Sequence, residues 1–305
     1  MEANHLSIPV VVFAYKRVDH LRRLIESLAQ NAEAAATPLY FYCDGAKRPD
    51  DQPAVDKVRS YVSQIQGFAS VASVFRPQNF GLAESIITGV SEILQTRDRV
   101  IVLEDDLVLS PYFLRYMIQA LTLYENSQRI ASIHGYCYPV DLPLPETFFL
   151  RGADCWGWAT WARAWRHFEP DGEKLLAKLR ADKLTQAFDL DGGHPYTTML
   201  EDQVAGRNDS WAIRWHASCF VRDMLTLYPG RTLVENIGND SSGTHCVATD
   251  VFSQAVAEMP AWVAQIPLTE SVLARKAFAR FLKSQQPSLL SRAKQFLRGA
   301  YEGAT

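Results

Sequence analysis

No apolar run in this 305-residue chain approaches the roughly 20 residues that a membrane-spanning helix requires. Cysteine is sparse as well. Cys43, Cys137, Cys155, Cys219 and Cys246 are widely scattered and form no C-x-x-C pair, so neither a disulfide frame nor a zinc site is expected. The seven histidines show no H-x-x-x-H spacing. Basic residues are not in excess: 31 Lys and Arg stand against 34 Asp and Glu, a formal charge of −3. That balance excludes a protein built to neutralise nucleic-acid phosphates. The first nine residues carry an acid, a histidine and no apolar centre, so no secretory leader is expected and the expected location is cytoplasmic. Repeats and low-complexity tracts are missing, and 48% apolar with 21% charged residues is the composition of a globular chain.

What is present is uneven. Between 271 and 305 there are seven basic residues and one acid, a net of +6, which leaves the other 270 residues at −9. The basic stretch places Leu, Phe and Ala on one helical face, over 273–282 and again over 288–297, with Lys and Arg opposite. That is the composition of an interfacial helix attracted to an anionic membrane, or of a helix docked on the acidic body.

An unbroken β-branched run at 8–14 predicts a strand buried on both faces. A helix follows over 19–30, with Leu21, Leu24, Ile25 and Leu28 at helical spacing and Asp19 as its cap. Strands at 38–43, 69–75 and 99–103 then alternate with helices at 53–66 and 82–95. This order predicts a doubly wound, mostly parallel α/β sheet with helices on both faces, whose ligands bind beyond the carboxyl ends of the strands. Further helices are expected at 197–205 and 210–222, and a strand at 225–228. Six of the seven tryptophans fall between 156 and 215; Trp158, Trp161 and Trp165 have the spacing of one helix face.

The strand at 99–103 runs straight into Glu104, Asp105 and Asp106. Three adjacent carboxylates repel one another and raise one another's pKa. A divalent cation relieves the repulsion; hard oxygen ligands suit Mg²⁺ or Mn²⁺, which in turn bind phosphate oxygens. A solvated loop leading to a helix is the plainer alternative.

The segment V-L-E-D-D-L-V-L-S-P-Y-F resembles the metal-binding segment of inverting GT-A glycosyltransferases. The similarity is greatest to the N-acetylglucosaminyltransferase that initiates complex N-glycans and to bacterial family 2-like sugar transferases. The resemblance implies that Asp106 binds the metal, with Asp105 facing the nucleotide ribose and Glu104 beside it. It also implies that Arg17, in Ala14-Tyr15-Lys16-Arg17, and Asp44, which closes the second strand, meet the base. Asn79 and Gly81 resemble the N-x-G turn beside the donor, where glycine frees backbone N–H groups for an anion. Trp156 and Trp158, in C-W-G-W, resemble loops that pack on donor sugar or acceptor, while Trp161 and Trp165 are assigned to the core. The base that deprotonates the acceptor is implied to be Asp209, at the start of a helix, or else Asp202 of the Glu201-Asp202 pair. Arg231 is placed to offset phosphate charge. Residues 239–245 resemble a donor-covering loop, in which His245 reaches the metal or pyrophosphate.

The expected organisation is a GT-A domain over 1–255, its nucleotide half ending near 110 and its acceptor half following, then a basic helical tail over 256–305. The implied activity is metal-dependent, inverting transfer from a nucleotide sugar, UDP-linked by preference, to a glycan or lipid-linked acceptor. Two other readings stand beside it. A sugar-nucleotide nucleotidyltransferase usually has a glycine-rich turn after its first strand, which residues 14–17 lack. A non-catalytic carbohydrate-binding protein accounts for the aromatics and leaves the carboxylates unexplained.

Overall fold

The structure is a computed structural model and describes residues 7–238 and 250–286. The whole of the expected donor-covering loop, His245 included, and the second basic helical segment lie outside the described residues.

In chain order the elements are β1 (Val10–Ala14), α1 (Val18–Ala29), β2 (Pro38–Cys43), α2 (Gln52–Val62), β3 (Ser70–Phe75), α3 (Leu82–Leu94) and β4 (Arg99–Glu104). Then come β5 (Leu107–Leu109), α4 (Phe113–Leu123), β6 (Ile130–His134), β7 (Thr147–Arg151), β8 (Trp158–Trp161), α5 (Ala162–Trp165), α6 (Gly172–Ala181) and α7 (Thr185–Phe188). The last are α8 (Tyr196–Val204), α9 (Trp211–Phe220), β9 (Leu225–Pro229), β10 (Val234–Asn236) and α10 (Val272–Ser284).

Eight strands form one sheet in the order β3-β2-β1-β4-β8-β6-β9-β7. Only β7 and β8 run against the rest, so the sheet is mostly parallel, as the alternating pattern predicts. Strand alternation divides the core between two layers. Val10, Val12, Ile101 and Leu103 face one cluster with α1, α2 and α4, while Val11, Phe13, Val100 and Val102 face another with α3 and α9. Burial of these central strands on both faces is what made them legible as continuous apolar runs. A small antiparallel pair, β5 with β10, hangs beside the end of β4.

Two local expectations are corrected. Asp19 does not cap α1: Arg17 holds the cap position, and Asp19 sits in the first turn, paired with Arg22 at 2.7 Å. Trp158, Trp161 and Trp165 do not share a helix face. Residues 158–161 are a strand inserted between β4 and β6, with Trp158 and Trp161 on opposite sides of the sheet. Four residues are too few to separate a period of 2 from one of 3.6, and only pairing with two flanking strands resolves them.

For the basic tail, the described part takes the docked form, one of the two readings left open. Residues 256–286 are packed on the body: Ala261 is buried in the core, and Ala274, Ala277, Phe278 and Leu282 of α10 pack with Phe148 and Tyr228. Ser271 caps α10 through its side chain.

Candidate active site

The carboxyl ends of the parallel strands form one rim, where four of the expected segments meet. Tyr15–Arg17 follow β1, Asp44 follows β2, Asn79–Gly81 follow β3, and the acidic triplet ends β4. The antiparallel β8 begins at the same rim, because Trp158 pairs with Val102 and with His134. Trp156 lies two residues before the start of β8 at this end of the sheet.

The triplet and Arg17 form the centre. Arg17 donates through one guanidinium nitrogen to both Asp105 and Asp106, at 3.0 Å from the latter, and the Tyr15 N–H donates to Asp105 at 3.3 Å. Arg17 therefore lies on the carboxylates rather than free for a base. Burial works against its charge, yet Asp105 and Asp106 raise its pKa above the ordinary value. Burial, followed by repulsion from Asp106 and Asp105, pushes the Glu104 carboxyl well up. Asp105 moves the same way, chiefly through burial and with Arg17 opposing. One guanidinium against three acids leaves the strand end short of positive charge, the condition that a divalent cation or a further base would meet.

The donor set fits such a cation in kind: hard carboxylate oxygens at a strand end suit Mg²⁺ or Mn²⁺. Among the described residues no three His, Cys, Asp or Glu side chains converge on one point. Asp106 would accordingly hold the ion with few protein ligands, leaving positions for phosphate oxygens and water. The backbone shapes this spot too. Ile237 N–H donates to the Asp106 carbonyl at 2.8 Å, and a Cβ on Gly238 would run into the Asp106 carboxylate. The chain therefore approaches Asp106 closely just before residue 239, where the expected covering loop departs.

Asp44 does something the sequence reading missed. Its two oxygens accept four hydrogen bonds: from the Gly45 and Phe80 N–H groups at 2.9 and 2.8 Å, and from the Gly81 N–H and the Asn79 amide at 2.9 Å each. The N–H groups expected to be free for a ligand anion at the Gly81 turn are thus taken by an internal carboxylate. Gly81 itself has φ of +78°, a conformation that favours glycine and lets the turn close over Asp44. Asp44→Ala is expected to orphan these donors and to lower unfolding free energy by about 2–3 kcal/mol, measured by chemical denaturation without ligand. An Asp44 that only met a bound base would leave that stability unchanged.

A second carboxylate, Asp51, was not among the expected site residues. It is buried, accepts from Lys16 at 2.8 Å and from the Tyr15 hydroxyl at 3.1 Å, and lies 3.5 Å from Arg48. The Lys16 contact foremost holds its pKa down at about 2. Its part is to fix the β1–α1 turn that presents Arg17.

On the aromatic side the expectations separate. Trp156 stands at the rim, half-buried, edge-on to Tyr136 and Phe252, its backbone N–H donating to His134 at 3.1 Å. Trp158 does not belong to a sugar pocket: it is 1% exposed and packed among Trp165, Trp211 and Trp215, with no ring face left for a ligand. Trp161 and Trp165 are core residues, as assigned.

Asp154, two residues before Trp156, was not among the expected site residues. It accepts from the Cys155 N–H at 2.9 Å and the Tyr138 hydroxyl at 3.3 Å, and lies 3.9 Å from the buried His134. Burial foremost, then Asp154, then Glu104 and Asp106 raise the Cys155 thiol pKa, so this loop shares the field of the triplet. Its position directly before C-W-G-W was the one signal available.

The two expected bases stand apart. α9 ends just before β9 begins, so the opposite end of α9, with Asp209 before it, points to the rim. Asp209 is 76% exposed, 3.5 Å from Arg214, which also feels Glu84 in the first turn of α3. Asp202 instead pairs with Arg207, and its neighbour Glu201 with Arg180, on an exposed side of α8. That is a solvated helix face, and nothing described joins it to the triplet. Arg231 pairs with Glu146 at 3.1 Å near the surface.

No family model matches this chain, and no curated protein matches it. Similar solved structures include S. aureus TarS, at 13% identity and a TM-score of 0.33 over 48% of this chain and 24% of that one. A structure of S. aureus TarS 1-349 matches at 10% identity and 0.35, over 58% and 49%. The mannosyltransferase PcManGT from Pyrobaculum calidifontis, in complex with GDP-Man and Mn²⁺, matches at 10% and 0.38, over 70% and 69%. This chain thus spans about a quarter and about half of the two TarS structures. Likenesses this remote carry neither a family nor a chemistry over to the chain; what it does follows from its own residues.

Proposed function

We propose that this protein is a glycosyltransferase that moves a sugar from a nucleoside-diphosphate donor, UDP-linked by preference, to a hydroxyl of a glycan or lipid-linked saccharide, with inversion. The observation that carries this reading is the triplet at the end of the central strand β4. It is under-compensated by Arg17, approached by the Gly238 backbone, and lies between the ends of β1 and β8 in the sheet, with the ends of β2 and β3 beyond β1. Residues 1–110 would supply the donor side and residues 111–255 the acceptor side.

In this reading Asp106 holds Mg²⁺ or Mn²⁺, and the ion supplies positive charge to the donor diphosphate. Asp105 and Glu104 face the nucleotide and sugar, and Arg17 fixes the two aspartates. Trp156 offers a half-buried aromatic face at the rim, where sugar C–H groups pack well. As the acceptor oxygen bonds to the anomeric carbon, the bond from that carbon to the diphosphate breaks and the diphosphate leaves with the electron pair. Asp209 takes the acceptor proton, the general-base role this displacement requires. The exposure of Asp209 at the open end of α9 supports that role, and the Arg207 pairing of Asp202 speaks against the alternative.

A nucleotidyltransferase fits less well, since the β1–α1 turn presents the bonded side chains of Tyr15, Lys16 and Arg17 where that chemistry uses glycine-rich backbone. The test is a thermal-shift panel of nucleotide sugars with and without Mn²⁺. The expected result is stabilisation by one nucleotide class only when metal is present. Stabilisation by free glycan alone, with no response to nucleotide sugars, would replace this reading with a carbohydrate-binding one.

A further inference from the structure

The apolar face of α10 is spent on the body, which changes what the basic helix can do. Ala274, Ala277, Phe278 and Leu282 point inward, so of the two readings the docked one holds for α10 and this apolar face is not available for membrane insertion. The outward arc is different in kind. Val272, Leu273, Lys276, Arg280 and Lys283 are all exposed, and at about 100° per residue they fall within an arc of roughly 100°. Arg275 is excluded from that arc and is held by Asp191 and Glu270. Among the described residues Lys276, Arg280 and Lys283 enter no ion pair, unlike Arg275 beside them.

We infer that this outward face of α10 is a docking surface for an anionic lipid bilayer. Charge complementarity carries the choice of occupant: three unpaired cations lie in one stripe, on a chain that is otherwise acidic. The chain also continues past Gln286 with Arg292, Lys294 and Arg298 against the single acid Glu302. Val272 and Leu273, 64% and 50% exposed beside the cations, add two apolar groups that suit the headgroup boundary and that a free phosphate would leave unused. With so little apolar surface available, attachment is chiefly electrostatic and therefore salt-sensitive. The surface lies on a helix separate from the acidic rim, so it holds whether or not the proposed transfer reaction does.

The experiment is flotation of the full chain with phosphatidylcholine vesicles and with vesicles that also contain phosphatidylglycerol. Binding is expected only to the second, with release at high salt. The triple variant Lys276→Gln, Arg280→Gln, Lys283→Gln should bind more weakly by roughly tenfold or more, given what each cation contributes near an anionic surface. Because these side chains face solvent, its melting temperature should match the parent, so weaker binding would not be a folding defect. Equal binding to neutral vesicles, no binding to either, or an unchanged triple variant would each overturn the assignment. Displacement by inorganic phosphate, beyond the effect of sodium chloride at equal ionic strength, would also overturn it by marking a small-anion site.

Discussion

Asp106→Ala is expected to lose donor binding that depends on Mn²⁺ and to lower turnover by roughly a thousandfold or more, since a metal ion contributes several kcal/mol of charge stabilisation to such a displacement. The surroundings make this a selective change. The Asp106 carbonyl, which accepts from Ile237, is untouched by the substitution. Arg17 loses one partner and keeps Asp105. One of three mutually repelling acids disappears, which offsets part of the lost ion pair. Folding stability should therefore move by about 1 kcal/mol or less, in either direction. Calorimetric titration of the nucleotide sugar with and without Mn²⁺ reads the first effect and chemical denaturation the second. Full donor affinity in the variant with metal present would remove Asp106 from the metal site.

Asp209→Asn should separate binding from chemistry. The substitution keeps the shape of the side chain and removes its capacity to accept a proton. At 76% exposure, with one 3.5 Å contact to Arg214, the carboxylate contributes little to the fold. Ser210 caps α9 through its own hydroxyl and so remains in place. Donor binding should be unchanged, while the rate of sugar transfer falls by roughly a hundredfold to ten-thousandfold, the usual contribution of a positioned general base. Single-turnover transfer, measured beside donor titration, gives both values. Retained turnover in Asp209→Asn together with its loss in Asp154→Asn would move the base to the loop before Trp156, where Tyr138 and Cys155 already orient a carboxylate.

The nucleotide half was the more legible part of the molecule. Strands β1, β2 and β4 are buried on both sides, so each is a continuous apolar run with a sharp polar end, and α1, α2 and α3 between them have clear helical spacing. The acidic triplet was conspicuous because three carboxylates in a row have no structural use in a buried strand. The region from 130 to 165 was harder. β6, β7 and β8 are short, two of the eight strands are reversed, and the W-A-T-W tract of β8 carries tryptophan on both faces. Local patterning there is compatible with either period.

What the sequence by itself determined was the α/β alternation, the placing of polar groups at strand ends and the separation of an acidic body from a basic terminus. These properties depend on neighbours within one element. The tertiary structure alone decided which groups those side chains meet. Arg17 and Asp105 lie 88 residues apart in the chain, and Asp44 takes its donors from 35 or more residues away in all but one case. A carboxylate's role is set by its bonded donors, by its burial and by nearby charge, and topology supplies all three. The same is true of α10, whose sequence alone allowed both docking and membrane insertion. Contact with Phe148 and Tyr228 buried its apolar face and left an outward arc of three cations beside Val272 and Leu273.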